Sequence, residues 1–264
     1  MAMSPRKRAR VSRGIQYAVL VLAAVGVALL VDWDTIGNVF FDIDSARAMF
    51  PEIIGTALKN TVLYTAGGFT LALALGLVLA LMRLSPVGPY RWMATAFIEF
   101  FRGVPALVVF LALGLGVPLA FPGYEIPGGN FGKASVALGL VGSAYMAETI
   151  RAGIQAVPKG QMEAARSLGM SHGRAMVSIV IPQAFRIILP PLTNELILLT
   201  KDSSLIYVLG YSLTTLELTA LGKEFLNQER NLTPMVTISL MYLLITVPLS
   251  ILVRRMEARA GRAR

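Results

Sequence analysis

Long apolar runs separated by short charged stretches dominate this chain, and the positions of the charges delimit its elements. Residues 1–14 form a basic N-terminus with Arg6, Lys7, Arg8, Arg10 and Arg13. An uncharged run of seventeen residues, 15–31, follows it. That run is longer than the ~7–15 apolar residues of a signal peptide, and no clear cleavage site follows, so it reads as a retained first span. Further apolar runs cover about Ile53–Met82, the stretch after Pro105 up to Phe121, Ala134–Gly153, Ile187–Leu209 and Pro234–Val253. Each can supply roughly the 20 residues that a helix needs to cross a bilayer. The pattern predicts an all-α polytopic membrane protein with about six transmembrane helices.

The connections alternate in charge. Residues 32–52 hold Asp32, Asp34, Asp42, Asp44 and Glu52 against Arg47 alone, and the loop near Glu217, Glu224 and Glu229 also leans acidic. A Pro/Gly cluster from Pro118 to Gly132 reads as another loop on the same side. The two ends and the loops at 83–102 and 151–186 carry 18 of the 24 Lys and Arg residues. Positive charge collects on the cytoplasmic side, so both termini are expected there, with a basic tail over 254–264. At helical spacing Glu99 and Arg102 are expected to pair where the third span begins, before Gly103 and Pro105 interrupt it.

Composition narrows the class. With 55% hydrophobic and 15% charged residues and a mean hydropathy of +0.66, the chain is too apolar for an ordinary soluble domain. Topology accounts for the net charge of +9, and no nucleic-acid motif accompanies it. There is no cysteine and a single histidine, His172, so neither a disulfide nor a zinc site is expected. No cofactor is expected either.

The central loop, Pro158–Pro182, is a charged helix-turn-helix stretch between apolar runs. Pro158 suits a first helical turn, Gly169 a left-handed helix end, and Ser171 the cap of a second helix. Pro158, Met162, Ala165 and Gly169 share one narrow face, with Glu163 and Arg166 beside it as an i,i+3 pair.

Glu163-Ala164-Ala165, then Gly169, Ile179 and Pro182 at the matching spacing, resemble the EAA loop of importer-type ABC permeases, with Ile181 where that pattern usually has Leu. The flanking text, FFRGVPALV from Phe100, SAYMAETIRAGIQAVPKGQMEAARSLGM from Ser143 and LPPLTNELILLTKDSSLIYVLG from Leu189, is similar to the polar amino acid branch of that family. The resemblance covers about residues 52–253. It implies a type I ABC importer transmembrane domain over 52–253, with residues 15–31 as an additional span. It also implies an amino acid substrate, a second permease subunit, identical or homologous, an extracytoplasmic binding protein, and a cytoplasmic ATPase dimer gripping the loop through Glu163, Ala164, Ala165, Gly169, Ile179 and Pro182. The setting implied is the bacterial cytoplasmic membrane.

The chain has no phosphate cradle of its own. Gly132-Lys133 and Gly222-Lys223 have Pro127 and Glu217 where a P-loop needs its first Gly, and Ala134 and Glu224 where it needs Ser or Thr. Ionisable groups within spans are candidates for a substrate path. Glu148, with Ser143 and Tyr145 near it, either meets an amino acid or pairs with Arg151. Lys201, Asp202 and Ser203 either line a path or hold an internal Lys–Asp pair. A carrier or channel driven by an ion gradient is the alternative function, and it leaves the long central loop without a purpose. A membrane enzyme lacks a nucleophile–base pair or a metal cluster.

Overall fold

The computed structural model describes residues 5–262, with side chains described over 11–258. Arg6, Lys7, Arg8, Arg10, Arg259, Arg262 and Arg264 therefore lie outside the described side chains. The described residues are helical almost throughout and contain no strand. In order the helices are α1 (Pro5–Leu30), α2 (Trp33–Phe40), α3 (Ile43–Ala48), α4 (Lys59–Leu84), α5 (Gly88–Gly103), α6 (Ala106–Leu111), α7 (Val117–Ala120) and α8 (Gly129–Gln155). After them come α9 (Lys159–Ser167), α10 (His172–Ala175), α11 (Ile181–Asp202), α12 (Leu218–Glu229) and α13 (Thr233–Arg262).

Four stretches are long and apolar enough to cross a membrane: Val11–Leu30, Ile53–Leu84, His172–Leu209 and Thr233–Ala258. A fifth candidate is the pair Gly88–Gly103 and Ala106–Ala120, bent by 102°. The sixth expected span, α8, has the length, 27 residues or about 40 Å at 1.5 Å per residue, but not the hydropathy. It is the helix that the others cover. Small groups, including Ala134, Gly139, Gly142, Ser143 and Ala147, replace the large apolar side chains that lipid-facing helices carry.

Glycines let α4 lie directly against α8. A Cβ added at Gly76 would sit 2.9 Å from Met146 Cβ and 3.1 Å from the Ser143 carbonyl oxygen, and one at Gly68 would collide with Leu138. Against this pair α11 adds Ile188, Leu192 and Leu199, while α5 adds Ala94 and Ile98 at the far end of α4, beside Leu79 and Ala147. By contrast, the Val11–Leu30 window of α1 buries nothing against the rest of the chain.

A second cluster gathers Met49, Ile53, Leu216, Leu218, Leu221 and Ile238. It sits where the acidic connections meet. The 32–52 connection, read as a loop, folds into α2 and α3, capped by Asp32 and Asp42, and is tied to α13 by Leu232 N–H donating to Val39 O (2.7 Å) and Asp42 N–H to Thr233 Oγ1 (3.0 Å). The Glu217 region holds α12, whose cap Glu217 is fully buried and accepts from Thr219 N (2.6 Å), Ala220 N (2.8 Å) and the Tyr242 hydroxyl (3.1 Å). Burial pushes its pKa up to about 7 despite those donors.

The helix that carries the fifth span begins at His172, well before Ile187, because the chain stays helical through Pro182 and Pro190-Pro191, with a wider π turn at Met176–Val180. Two expectations need correction. Glu99 and Arg102 do not pair: Glu99 is exposed, and the Arg102 guanidinium lies over the Tyr145 ring, 6.0 Å from its centroid. Glu163 and Arg166 do not pair either, since Arg166 donates to the Met170 carbonyl (3.1 Å).

Candidate functional site

A cavity of about 300 Å³ opens between α8, α11 and the bend that links α5 to α6. Val141 and Tyr145, four apart, face it from α8; Glu195, Leu198, Leu199 and Asp202 share one face of α11; Val104 and Ala106 flank Pro105. Its walls are apolar except for Tyr145, Glu195 and Asp202. Both carboxylates are half-buried, and neither has a hydrogen-bond or ion-pair partner among the described residues.

Of the six residues expected on a substrate path, Tyr145 and Asp202 line this cavity together and the other four do not. Ser143 is fully buried against α4 and donates to Leu140 O (2.8 Å). Ser203 is fully buried too and donates to Thr200 O (2.6 Å). Lys201 is exposed and makes no ion pair with Asp202. Glu148 stands away from the cavity wall, held by Arg83 from α4 and by Arg151, whose Nη2 lies 2.7 Å from Oε2. Sequence reasoning passed over Glu195. Its signal was the seven-residue spacing from Asp202, two helical turns that put both acids on one face.

The second candidate surface is the central loop. Pro158 precedes α9, and α9 ends in a left-handed Gly169 (φ +82°). Gly169 N–H donates to Arg166 O (3.0 Å) and Met170 N–H to Ala165 O (3.1 Å), the paired bonds of a Schellman motif. Ser171 Oγ then accepts from Arg174 N (3.3 Å) and caps α10. Ala165 is buried and Met162 half-buried against the following helix, Ile179 is half-buried, and Glu163, Ala164, Gly169 and Pro182 are exposed. The narrow face of α9 thus turns inward, which leaves Glu163 and Ala164 outward next to Leu168, a leucine 85% exposed at the tip. Among the described residues no cluster of His, Cys, Asp and Glu suits a metal ion.

A family model described as binding-protein-dependent transport system inner membrane component matches residues 72–262. The chain is 39% identical to the probable glutamine ABC transporter permease protein GlnM of Bacillus subtilis over 215 residues, 80% of this chain and 93% of that protein. It is 38% identical to the arginine transport system permease protein ArgU of Corynebacterium glutamicum over 206 residues, 73% of this chain and 65% of that one. A crystal structure of an amino acid ABC transporter with histidines superposes with a TM-score of 0.72 at 37% identity, covering 83% of this chain and 98% of the other. α1, α2 and α3 lie before the residues that the family model matches.

Proposed function

The chain belongs to the binding-protein-dependent transport system inner membrane components, as a multi-pass amino acid ABC transporter permease, and from that premise we propose that it imports polar amino acids using ATP hydrolysed by a separate subunit. The observation that carries this reading is the central loop: a short helix closed by a Schellman motif, with Glu163, Ala164 and Leu168 turned outward, in a chain whose Gly-Lys pairs lack the rest of a P-loop. The exposed face offers a cytoplasmic ATPase dimer an acidic group and an apolar knob. Met162 packs against the cluster that includes Val180 and Ala184 and so joins the loop to the His172–Leu209 helix, so that movement of the ATPase passes to α11 as rigid-body motion.

In this reading a second permease subunit and an extracytoplasmic binding protein complete the transporter, and both termini are cytoplasmic. The cavity between Tyr145, Glu195 and Asp202 is a waypoint on the path, since two carboxylates left unpaired among apolar groups are costly unless a ligand meets them. The test is substrate-stimulated ATP hydrolysis by the reconstituted complex carrying Glu163→Lys or Leu168→Asp. Stimulation should fall in both while the permease still inserts, and unchanged stimulation in both would remove the loop from the coupling path.

A further inference from the structure

A crevice of about 400 Å³ lies between α3 and the first turns of α13, away from the cavity at Tyr145. Phe41, Ile43, Phe50, Val236 and Leu240 form most of its wall, and Arg47 borders it. Hydrogen bonds fix its shape, since Asp42 N–H donates to Thr233 Oγ1 and Leu232 N–H to Val39 O. The polar groups of the wall are committed locally. The Asp42 carboxylate accepts from Asp44 N, Ser45 N and the Ser45 hydroxyl, and the Thr237 hydroxyl donates to Thr233 O. The crevice therefore offers an occupant apolar surface and the Arg47 guanidinium, which is 78% exposed and, among the described residues, has Asp44 alone beside it at 3.8 Å.

Depth in the bilayer sorts these groups. The span Thr233–Ala258 is about 39 Å long at 1.5 Å per residue, more than the ~30 Å hydrocarbon core, so its first turn stands among headgroups. Thr233, to which α3 is tied, belongs to that turn, and Leu240 lies about 10 Å further in. Arg47 and Asp44 are thus at headgroup level, and the crevice runs from them into the hydrocarbon. Trp33, exposed at the start of α2, suits the same level. Lipid tails, rather than water, fill a phenylalanine-lined crevice at that depth.

We propose that the crevice holds one acyl chain of a phospholipid with an ethanolamine headgroup, its phosphate at Arg47 and its ammonium at Asp44. Charge complementarity carries the choice. Arg47 is the one basic residue against five acidic ones in residues 32–52, so a phosphate has a single place to settle there. Asp44, 93% exposed, stands next to it to receive the ammonium. An exposed pair 3.8 Å apart is weak, so a zwitterion that meets both groups replaces it at little cost. A purely anionic headgroup meets Asp42 and Asp44 as like charges, and a choline headgroup has no N–H to donate to Asp44.

The full chain, purified in detergent and stripped of lipid, is titrated with phosphatidylethanolamine, phosphatidylcholine or phosphatidylglycerol of one acyl composition, and bound lipid is counted by native mass spectrometry. One phosphatidylethanolamine should bind about two- to fivefold more tightly than either of the others, the range that an exposed ion pair supplies. Arg47→Gln should weaken all three lipids, and Asp44→Asn should remove the preference for ethanolamine over choline. Ala46→Phe, which fills the crevice, should lower binding by roughly tenfold or more, because excluding two methylenes costs that much. Leu244→Ala, on an exposed part of α13 outside the crevice, should leave binding unchanged. Arg47 and Asp44 are exposed, so their variants keep the test open even where Ala46→Phe does not fold. Binding that ignores the headgroup, or that folded Ala46→Phe leaves unchanged, overturns the proposal. So does a disulfide-linked dimer of the Leu22→Cys/Ala46→Cys variant of this cysteine-free chain, which would seat α1 of a second copy in the crevice.

Discussion

Arg83, the last basic group of α4, reaches across to Glu148 of α8, and Arg151 grips the same carboxylate from the next turn. The three side chains are 21–27% exposed, so the cluster is neither a solvated surface pair nor a dry one. It fastens two closely packed helices at the end nearest the central loop. Glu148→Gln leaves two guanidinium groups short of a partner and should lower stability by about 1–3 kcal/mol, between the values for exposed and buried pairs. Thermal unfolding in detergent measures this, and ligand affinity at the cavity should stay within about twofold. A large loss of affinity with unchanged unfolding would move Glu148 onto the substrate path.

Gly76, two turns before Arg83, tests the same contact. Valine there would thrust its Cβ into Met146 and the Ser143 carbonyl, where backbone as well as side chain blocks the space. Overpacking of this kind costs about 1–3 kcal/mol. Gly76→Val should therefore reduce the yield of folded protein, whereas the same substitution at Gly55, where nothing lies within 4 Å, should not.

How much of this was legible in the sequence depended on what each helix faces. The span Ile53–Leu84 was visible because a lipid-facing helix must be continuously apolar, and its ends came within two residues. α2, α3 and α12 were missed although their caps Asp32, Asp42 and Glu217 stood in plain view, because acidic stretches between spans resemble loops when only hydropathy is followed. The run near Ile187–Leu209 was visible by its hydropathy, but the helix that holds it reaches back to His172, because the chain stays helical through the π turn and Pro182 where the charged text of the central loop masks it. In the site, Tyr145 and Asp202 stood out as polar groups in apolar text. Glu195 did not, since its role depends on a face shared with Asp202 that only the helix phase reveals. In place of the two expected i,i+3 pairs, Arg102 lies over the Tyr145 ring and Arg166 donates to the Met170 carbonyl.

Glu217 makes stability depend on pH. It lies between the spans His172–Leu209 and Thr233–Ala258, and its carboxyl is pushed from an ordinary 4.5 up to about 7 by burial. Between those values the folded protein holds a proton that the unfolded chain releases, so its contribution is complete below about pH 4.5 and is lost as pH rises through about 7. Unfolding temperatures should fall across this window in the wild type. In Glu217→Gln, which keeps an acceptor for Thr219 and Ala220, the curve should flatten; an unchanged slope would assign the dependence to another group.

Gly169 closes α9 in a left-handed conformation at φ +82°, which asparagine tolerates and β-branched residues do not. Gly169→Asn should keep ATPase coupling near the wild-type level. Gly169→Val should cost about 1–2 kcal/mol locally, unseat the Schellman bonds to Ala165 and Arg166, and uncouple hydrolysis from uptake. Equal coupling in both variants would show that the loop end is not held by its backbone.

The most direct test of the account is amino acid accumulation in vesicles containing this chain, with and without its ATPase and binding protein. Uptake against a gradient should require both partners and ATP. Full uphill uptake by this polypeptide alone, driven by an ion gradient, would contradict it.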